Sequence, residues 1–204
     1  MSWDKTARME KLERKICAGE VDSEIVPIVE AINSNPDYFT TSSCAGRVAL
    51  IEMPELGDKE NASFLGKWHR EVELTEVAAA YSKAQNTTIV FLLAQSPIIH
   101  VRCRSTRSAV ELRNLALESG LKYSTLKSLT LNSKDEAQKI VVEILSSENI
   151  HVPIARRKKL FPDEEYLAFL VTNANQALRR AQEKLERFKN NMAQSSRFSM
   201  SFGK

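Results

Sequence analysis

Apolar residues recur along the chain at two different periods, and these periods predict its helices and strands. Between residues 3 and 18 they return every three or four positions among charges, which indicates an amphipathic helix ended at Gly19. Further helices are predicted at 23–32, 74–83 and 106–119, the last with Gly120 as its stop. The chain therefore alternates helical segments with other structure.

Runs that alternate apolar and polar residues, or that are continuously apolar, predict seven strands between these helices. The predicted strands are 48–53, 64–70, 87–93, 98–104, 123–131, 139–145 and 150–154. The resulting order is ββα, ββα, βββα, and this repeated grouping hints at two related halves.

The final predicted helix begins near Pro162 and carries an apolar stripe in alternating steps of four and three residues. Such a stripe suits either packing on a sheet or a seam with a second copy, and we expect packing on the sheet. The Ser-rich end, 191–204, is expected to be a poorly ordered tail. Residues 1–190 are then expected to form a single α+β domain.

Composition supports an independently folding chain. Its 204 residues are 43 % hydrophobic with only six Gly and six Pro, which excludes collagen and wholly disordered chains. No apolar run reaches 18 residues and the first residues are charged, so we expect a cytoplasmic protein without a membrane segment. No obligate protein partner is evident.

The positions of glycine and histidine exclude several kinds of site. The six glycines cannot form a Gly-x-Gly-x-x-Gly turn or a P-loop, so the two common glycine-rich nucleotide loops are excluded. The histidines are scattered and the three cysteines, Cys17, Cys44 and Cys103, form no Cys-x-x-Cys pair. We therefore expect no metal site and reduced thiols.

Positive charge is modest in total but locally concentrated. A net charge of +3 does not by itself indicate a nucleic-acid partner. The densest run is Arg156, Arg157, Lys158 and Lys159, and a second group is Arg102, Arg104 and Arg107. Each run suits either a solvated loop or contacts to phosphates.

Residues 40–47 combine four hydroxyl side chains with Cys44, Gly46 and Arg47, and we expect a loop there. Small residues let backbone N–H groups approach an anion, and hydroxyl groups with an Arg fork add further donors. The alternative is a Ser/Thr-rich turn that caps the preceding helix. Cys44 is either a nucleophile or, more commonly, a small buried thiol.

Two predicted strands carry basic and aromatic groups on defined faces. Alternation separates Lys67 and His69 from Trp68 and Arg70, and an exposed Trp would suit base stacking or a sulfonium ligand. A core Trp with flanking charges is the alternative. In the strand at 98–104, His100, Arg102 and Arg104 share a polar face opposite an apolar one.

Three motifs, Ser42-Ser43-Cys44-Ala45-Gly46-Arg47, Gly66-Lys67-Trp68 and His100-Val101-Arg102-Cys103, follow in an order that resembles one family. It is the wybutosine-synthesis tRNA methyltransferase family, the third enzyme of that pathway, and the similarity runs from about residue 9 to 188. The short chain resembles the archaeal members.

The resemblance implies an S-adenosylmethionine-dependent tRNA methyltransferase. Its reaction would methylate N4 of a 4-demethylwyosine-type guanosine beside the anticodon of tRNA(Phe). It also implies an α+β fold that is not a Rossmann fold. That fold would have a single curved mixed sheet built from two related halves, helices on one side and a long C-terminal helix.

The resemblance also implies roles for individual residues. Lys67 and His69 are the catalytic candidates, with His69 or an unidentified carboxylate taking the proton. Substrate binding falls to Ser43, Cys44, Arg47 and Trp68. Cofactor binding falls to His100, Arg102 and Ser124. The tRNA phosphates would contact Arg104, Arg156, Arg157, Lys158 and Lys159.

Two other classes of function stay open on the residues alone. One is a non-catalytic RNA-binding module that uses Trp68 and the basic strand faces. The other is a hydrolase with Cys44 as nucleophile, which would be labelled by an electrophile.

Overall fold

The computed structural model describes residues 3–131, 137–195 and 198. Its α-helices are α1 (Lys5–Cys17), α2 (Val26–Ser34), α3 (Leu74–Tyr81), α4 (Thr106–Glu118) and α5 (Glu164–Gln194). Its strands are β1 (Tyr38–Cys44), β2 (Arg47–Met53), β3 (Ser63–Trp68), β4 (Ile89–Gln95), β5 (Ile98–Cys103), β6 (Thr125–Leu131), β7 (Ala137–Leu145), β8 (Ile150–Arg156) and β9 (Lys159–Leu160). None of the helices described is both long enough and apolar enough to cross a bilayer.

The described chain divides into two compact units. The first contains the residues up to Ala45, Pro97–Ser147 and the chain from Gln182 onward. The second contains Gly46–Ser96 and Glu148–Ala181. The chain therefore passes between the units four times, after residues 45, 96, 147 and 181, and α5 contributes to both.

The first unit is built on a four-stranded antiparallel sheet in the order β1-β5-β7-β6. Alternation in β5 sends Ile99, Val101 and Cys103 into an apolar core, where they meet α2, α4 and the end of α5. The opposite face of the sheet carries His100 and Arg102 toward α1. His100 and Arg102 therefore lie on the face of this sheet opposite its apolar core.

The second unit is built on a five-stranded antiparallel sheet in the order β3-β2-β4-β8-β9. Its core contains Val48, Leu50 and Leu92 from the central strands, together with α3 and the first part of α5. Asn175 of α5 fixes the loop before α3, accepting from the Val72 N–H at 3.0 Å and donating to the Val72 carbonyl at 2.9 Å.

The predicted helix boundaries rest on local hydrogen bonds. Asp4 caps α1 by accepting from the Ala7 N–H, and Ser105 forms a capping box with Ser108 at the start of α4. Gly19 and Gly120 follow α1 and α4 with φ of 68° and 94°, a left-handed conformation that suits glycine. The stop signals predicted at these two positions are confirmed.

The apolar stripe of the last helix is buried, as expected for packing within the fold. Its members Leu167, Val171, Ala174 and Leu178 lie in the core of the second unit. Leu185 and Phe188 lie in the core of the first. Most of the expected 191–204 tail falls outside the described residues, but residues 191–194 still belong to α5.

The expected single mixed sheet is corrected by the strand pairing. The described strands form two sheets, and within each sheet every pair of neighbouring strands is antiparallel. Periodicity identifies which residues of a strand are buried, but it does not show which strands lie side by side. The sequence pattern therefore could not assign the strands to two separate sheets. The helices are also not confined to one side, since α1 borders the polar face of the first sheet.

The loop expected at 40–47 is also corrected, because most of it is strand β1, an edge strand that pairs with β5. Hydroxyl side chains on the outer face of β1 remove the apolar alternation by which a strand is recognised. The two-residue strand β9 was likewise missed.

Candidate active site

The polar face of the first sheet borders a cavity of about 720 Å³. Strand β5 places His100 and Arg102 in its wall, and β1 adds Phe39 and Thr41. The helix α1 closes the opposite side with Arg8 and Lys11. A volume of this size lies within the roughly 300–1,000 Å³ range of small-molecule sites.

The cavity is strongly basic. Among the described residues, its walls carry five cationic side chains, namely Arg8, Lys11, Arg102, Lys127 and Lys139, and one carboxylate, Asp4. Arg102 is only 8 % exposed, and this burial lowers the pKa of its guanidinium, which nevertheless stays charged. The arrangement suits an anionic group, with Arg102 able to grip a carboxylate through its planar fork.

A row of hydrogen-bonded side chains crosses the four strands of this sheet. Ser42 Oγ of β1 lies 2.7 Å from His100 Nδ1 of β5, and His100 Nε2 lies 2.8 Å from Glu143 Oε1 of β7. Lys127 of β6 donates to the same Glu143 oxygen at 2.6 Å. Both ring nitrogens of His100 are therefore engaged within the sheet.

Glu143 is the anionic member of this row. Its partial burial raises the pKa of the carboxyl group, but hydrogen bonds from Lys127 and His100 outweigh that effect and leave the pKa below its usual range. Glu143 is therefore ionised at neutral pH and accepts hydrogen bonds without donating any.

Ser124 does not join His100 and Arg102, although the sequence grouped the three as cofactor ligands. Its side chain is buried, and its hydroxyl accepts from the Leu145 N–H at 3.2 Å. The Ser124 hydroxyl thereby holds the turn before β6 against the end of β7. Ser124 is absent from the described lining of the large cavity.

Residues 40–44, expected in a loop whose backbone approaches an anion, lie instead in strand β1. Strand β1 uses its backbone in the ladder with β5, and the Ala45 N–H donates to Asp22 Oδ2 at 2.9 Å. Ser43 is half-buried and lines a second cavity of about 350 Å³ on the same unit. Cys44 is also half-buried.

Arg47 begins β2 in the second unit and is held by two neighbours. Its Nε donates to Gln95 Oε1 at 2.6 Å, and its guanidinium lies 4.9 Å from the centre of the exposed Phe64 ring. These contacts fix the direction of the guanidinium.

The Gly66-Lys67-Trp68 motif has a packing reason. Trp68 packs against the core of the second unit, and a methyl group at Gly66 would overlap its indole ring. Trp68 is only half-buried, so this packing leaves part of the side chain accessible. Lys67 is exposed on β3, and His69 follows the strand with Nδ1 donating to the Gly46 carbonyl at 3.0 Å.

The basic run forms the turn of the β8–β9 hairpin, where Arg156 pairs with Lys159. Arg157 and Lys158 have φ of 51° and 58°, so the two-residue turn has the positive φ values of a type I′ turn. All four side chains are exposed, as is Arg104 directly after β5 in the first unit.

Sequence reasoning missed several side chains of the cavity region, among them Arg8, Lys11, Lys127 and Glu143. Arg8 and Lys11 lie on the polar face of an amphipathic helix and carry no distinguishing signal. Glu143 does carry one, because it interrupts the apolar run of β7, and a carboxylate in such a strand needs a partner.

The comparisons with known proteins agree with one another. The family model described as Methyltransferase TYW3 matches residues 3–194. A Pyrococcus horikoshii protein is 46 % identical over 176 residues, covering 86 % of each chain. A Methanocaldococcus jannaschii protein is 38 % identical over 190 residues, covering 93 % of this chain and 95 % of its own.

Both relatives carry the name tRNA(Phe) 7-((3-amino-3-carboxypropyl)-4-demethylwyosine(37)-N(4))-methyltransferase, the first with the suffix 1. The solved structure of the PH1069 protein from Pyrococcus horikoshii superposes with a TM-score of 0.84 at 44 % identity, covering 91 % of this chain and 92 % of that chain. An Aeropyrum pernix hypothetical protein gives a TM-score of 0.69 at 25 % identity, covering 83 % and 95 %. With the family model spanning nearly all of its described residues, this chain belongs to the TYW3 methyltransferase family.

Proposed function

We propose that this chain transfers the methyl group of S-adenosylmethionine to N4 of a 4-demethylwyosine-type guanosine beside the anticodon of tRNA(Phe). The observation that carries the proposal is the 46 % identity, over 86 % of both chains, with a relative named for that reaction. Because the family match is continuous across residues 3–194, we treat 1–190 as one catalytic domain. The family is a methyltransferase family, which favours an enzyme over a non-catalytic RNA-binding module.

We assign the carboxylate end of the methyl donor to the basic cavity. Arg102 offers a buried fork for the carboxylate of the methionine part, and Phe39 and Asp4 offer a ring face and a negative charge to a sulfonium. His100 shares this wall, whereas Ser124 would support it only through the backbone of β7. Every described strand pairing is antiparallel, whereas a Rossmann fold uses a mostly parallel sheet, which supports a different mode of donor binding.

Methyl transfer from a sulfonium is an in-line displacement, so the protein mainly has to align donor and acceptor. Alignment alone contributes up to about 7–11 kcal/mol in favourable cases. The substrate-binding candidates inferred from the sequence are Ser43 and Cys44 in the first unit and Arg47, Lys67 and Trp68 in the second, and His69 is the inferred proton acceptor. Within the second unit, Arg47 is already oriented by Gln95 and Phe64.

The tRNA backbone would be held by exposed cations outside the cavity. Arg104 and the hairpin residues Arg156, Arg157, Lys158 and Lys159 are all exposed, and a charged hairpin turn can reach phosphates without distorting its own sheet. Such contacts provide affinity that falls as salt rises.

The direct test is incubation of the purified protein with labelled S-adenosylmethionine and tRNA(Phe) bearing the 4-demethylwyosine-type guanosine. Nucleoside mass analysis should show one added methyl on the tricyclic base. Transfer should be absent from tRNA(Phe) with an unmodified guanosine at that position. Equal methylation of both tRNAs would contradict the proposal, and so would folded protein that methylates neither tRNA.

A further inference from the structure

The row from Ser42 to Lys127 has the order of groups that a proton acceptor needs. A hydroxyl contacts one ring nitrogen of His100, a carboxylate contacts the other, and a cation holds the carboxylate. A β-bulge between Thr40 and Ser42 shifts the register of β1 so that Ser42 pairs with His100. Bulges often re-aim a side chain next to an active site.

The protonation state of the row follows from its anionic end. Ionised Glu143 can only accept, so His100 Nε2 carries the hydrogen of that contact. In neutral His100 the other nitrogen, Nδ1, is then an acceptor, and Ser42 donates its hydroxyl hydrogen to it. The lone pairs of Ser42 Oγ are thereby left to receive a proton from an incoming group.

The row connects two adjoining cavities. His100 lies in the wall of the cavity of about 720 Å³, whereas Ser42 lies in the wall of the cavity of about 350 Å³. The two share Arg8, Lys11 and Thr41. The larger space suits the methyl donor, and the smaller has room for a planar base against Ser42.

We propose that Ser42, His100 and Glu143 form the proton relay of the methylation, with Ser42 contacting the base nitrogen. This inference rests on the proposed function and replaces His69 as the acceptor. The new bond joins the base nitrogen to the methyl carbon, and the bond between that carbon and sulfur breaks with its electron pair going to sulfur. The proton of the nitrogen passes to Ser42 Oγ while the Ser42 proton passes to His100 Nδ1.

Glu143 is a positioning residue in this relay, because it stabilises the imidazolium that forms on His100. The other charged groups of the cavity wall are mostly cationic, so they oppose a positive charge on the His100 ring. Among the described residues of this wall they are Lys139 of β7, Lys127 of β6, Arg102 of β5, and Arg8 and Lys11 of α1, with Asp4 as the acid. A carboxylate in direct contact is therefore needed if His100 is to accept a proton.

The test uses the full chain and compares Ser42→Ala, His100→Ala and His69→Ala. We expect kcat to fall about 100-fold or more in the first two, with little change in the KM for tRNA, because general-base catalysis contributes roughly 10²–10⁴-fold. Added imidazole should restore part of the activity of His100→Ala, which a merely structural role for His100 would not produce.

Matched controls separate the relay from mere stabilisation of the sheet. Glu143→Gln should lower kcat, whereas Glu111→Gln, which removes a surface pair with Arg107 on α4, should not. Melting temperatures identify variants that fail to fold. If His100→Ala or Glu143→Gln fails to fold, the kcat of Ser42→Ala decides, because Ser42 is exposed and its replacement leaves no buried cavity. Wild-type protein that is active while Ser42→Ala and His100→Ala keep full kcat would overturn the relay. Inactive wild-type protein would instead overturn the proposed function.

Discussion

At the scale of single residues, Arg102 stands out because it is a buried cation in the wall of the large cavity. It is the most buried cation of the cavity wall, and its neighbours on β5, Val101 and Cys103, anchor the backbone in the core. Burial restricts the side chain of Arg102, and under the proposed function its planar fork would meet the carboxylate of the methyl donor.

We expect Arg102→Gln to raise the KM for S-adenosylmethionine by about 30-fold, equivalent to roughly 2 kcal/mol for a charge-assisted hydrogen bond. The KM for tRNA should change much less. Calorimetric titration with S-adenosylmethionine checks the binding loss directly.

Arg107→Gln supplies the matched loss of charge for this comparison. Arg107 is exposed on α4 and pairs with Glu111 at 3.2 Å. Its variant should bind the methyl donor as the wild type does. Equal losses in both variants would mean that total charge, and not the fork of Arg102, holds the ligand.

The cysteines should differ sharply in reactivity. Burial is the main cause that raises the pKa of the Cys103 thiol to about 12, so its thiolate fraction at pH 8 is about 0.01 %. Cys17 is exposed. Brief treatment with iodoacetamide at pH 8 should label Cys17 and leave Cys103 unlabelled until the protein is denatured, as measured by peptide mass analysis. Rapid labelling of Cys103 in folded protein would show that β5 is not packed as described.

At the level of elements, the β8–β9 hairpin combines charge with backbone strain. Arg157 and Lys158 occupy positive φ, where Asn-Gly is the favoured pair. Replacing them with Asn-Gly should stabilise the protein by about 1 kcal/mol, a rise in Tm of roughly 2–4 °C. The same change should weaken binding of tRNA, measurable by filter binding.

The control for this change keeps the strain and removes the charge. Arg157→Gln with Lys158→Gln should weaken tRNA binding without raising Tm. If the double Gln variant binds tRNA as tightly as the wild type, the hairpin does not contact phosphates. The predicted effect of Asn-Gly on Tm would then be unaffected.

Individual elements differ in how well the sequence predicts them. The stripe of α5 is predictable because its apolar positions are continuous and all serve burial. Strand β1 is not, because its hydroxyl groups face a polar cavity and the signal of alternation is lost. Strand β5 keeps its alternation, so the shared face of His100 and Arg102 can be predicted from the sequence. Their partners on β6, β7 and α1 depend on strand order, which the alternation does not give.

For the whole molecule, a net charge of +3 leaves little long-range attraction for tRNA beyond its local clusters. Replacing the four hairpin cations with Gln removes four positive charges and changes the net charge from +3 to −1. We expect the slope of log Kobs against log salt to become shallower by about 3–4, if each cation meets one phosphate.

A second variant with the same net charge separates local from global electrostatics. It replaces four exposed cations outside the hairpin with Gln, namely Lys59, Lys83, Lys122 and Arg180. Its salt slope should stay close to that of the wild type. A slope that falls equally in both variants would mean that tRNA responds to total charge alone.

The four passages of the chain between its units have a consequence for how the protein is made. The sheet of the first unit needs Tyr38–Cys44 and Ala137–Leu145, and its core needs Leu185 and Phe188. Synthesis from the N-terminus therefore cannot complete this unit before most of the polypeptide has left the ribosome. Contacts between segments so distant in sequence give a high contact order, which favours slow, late folding over folding of each unit in turn.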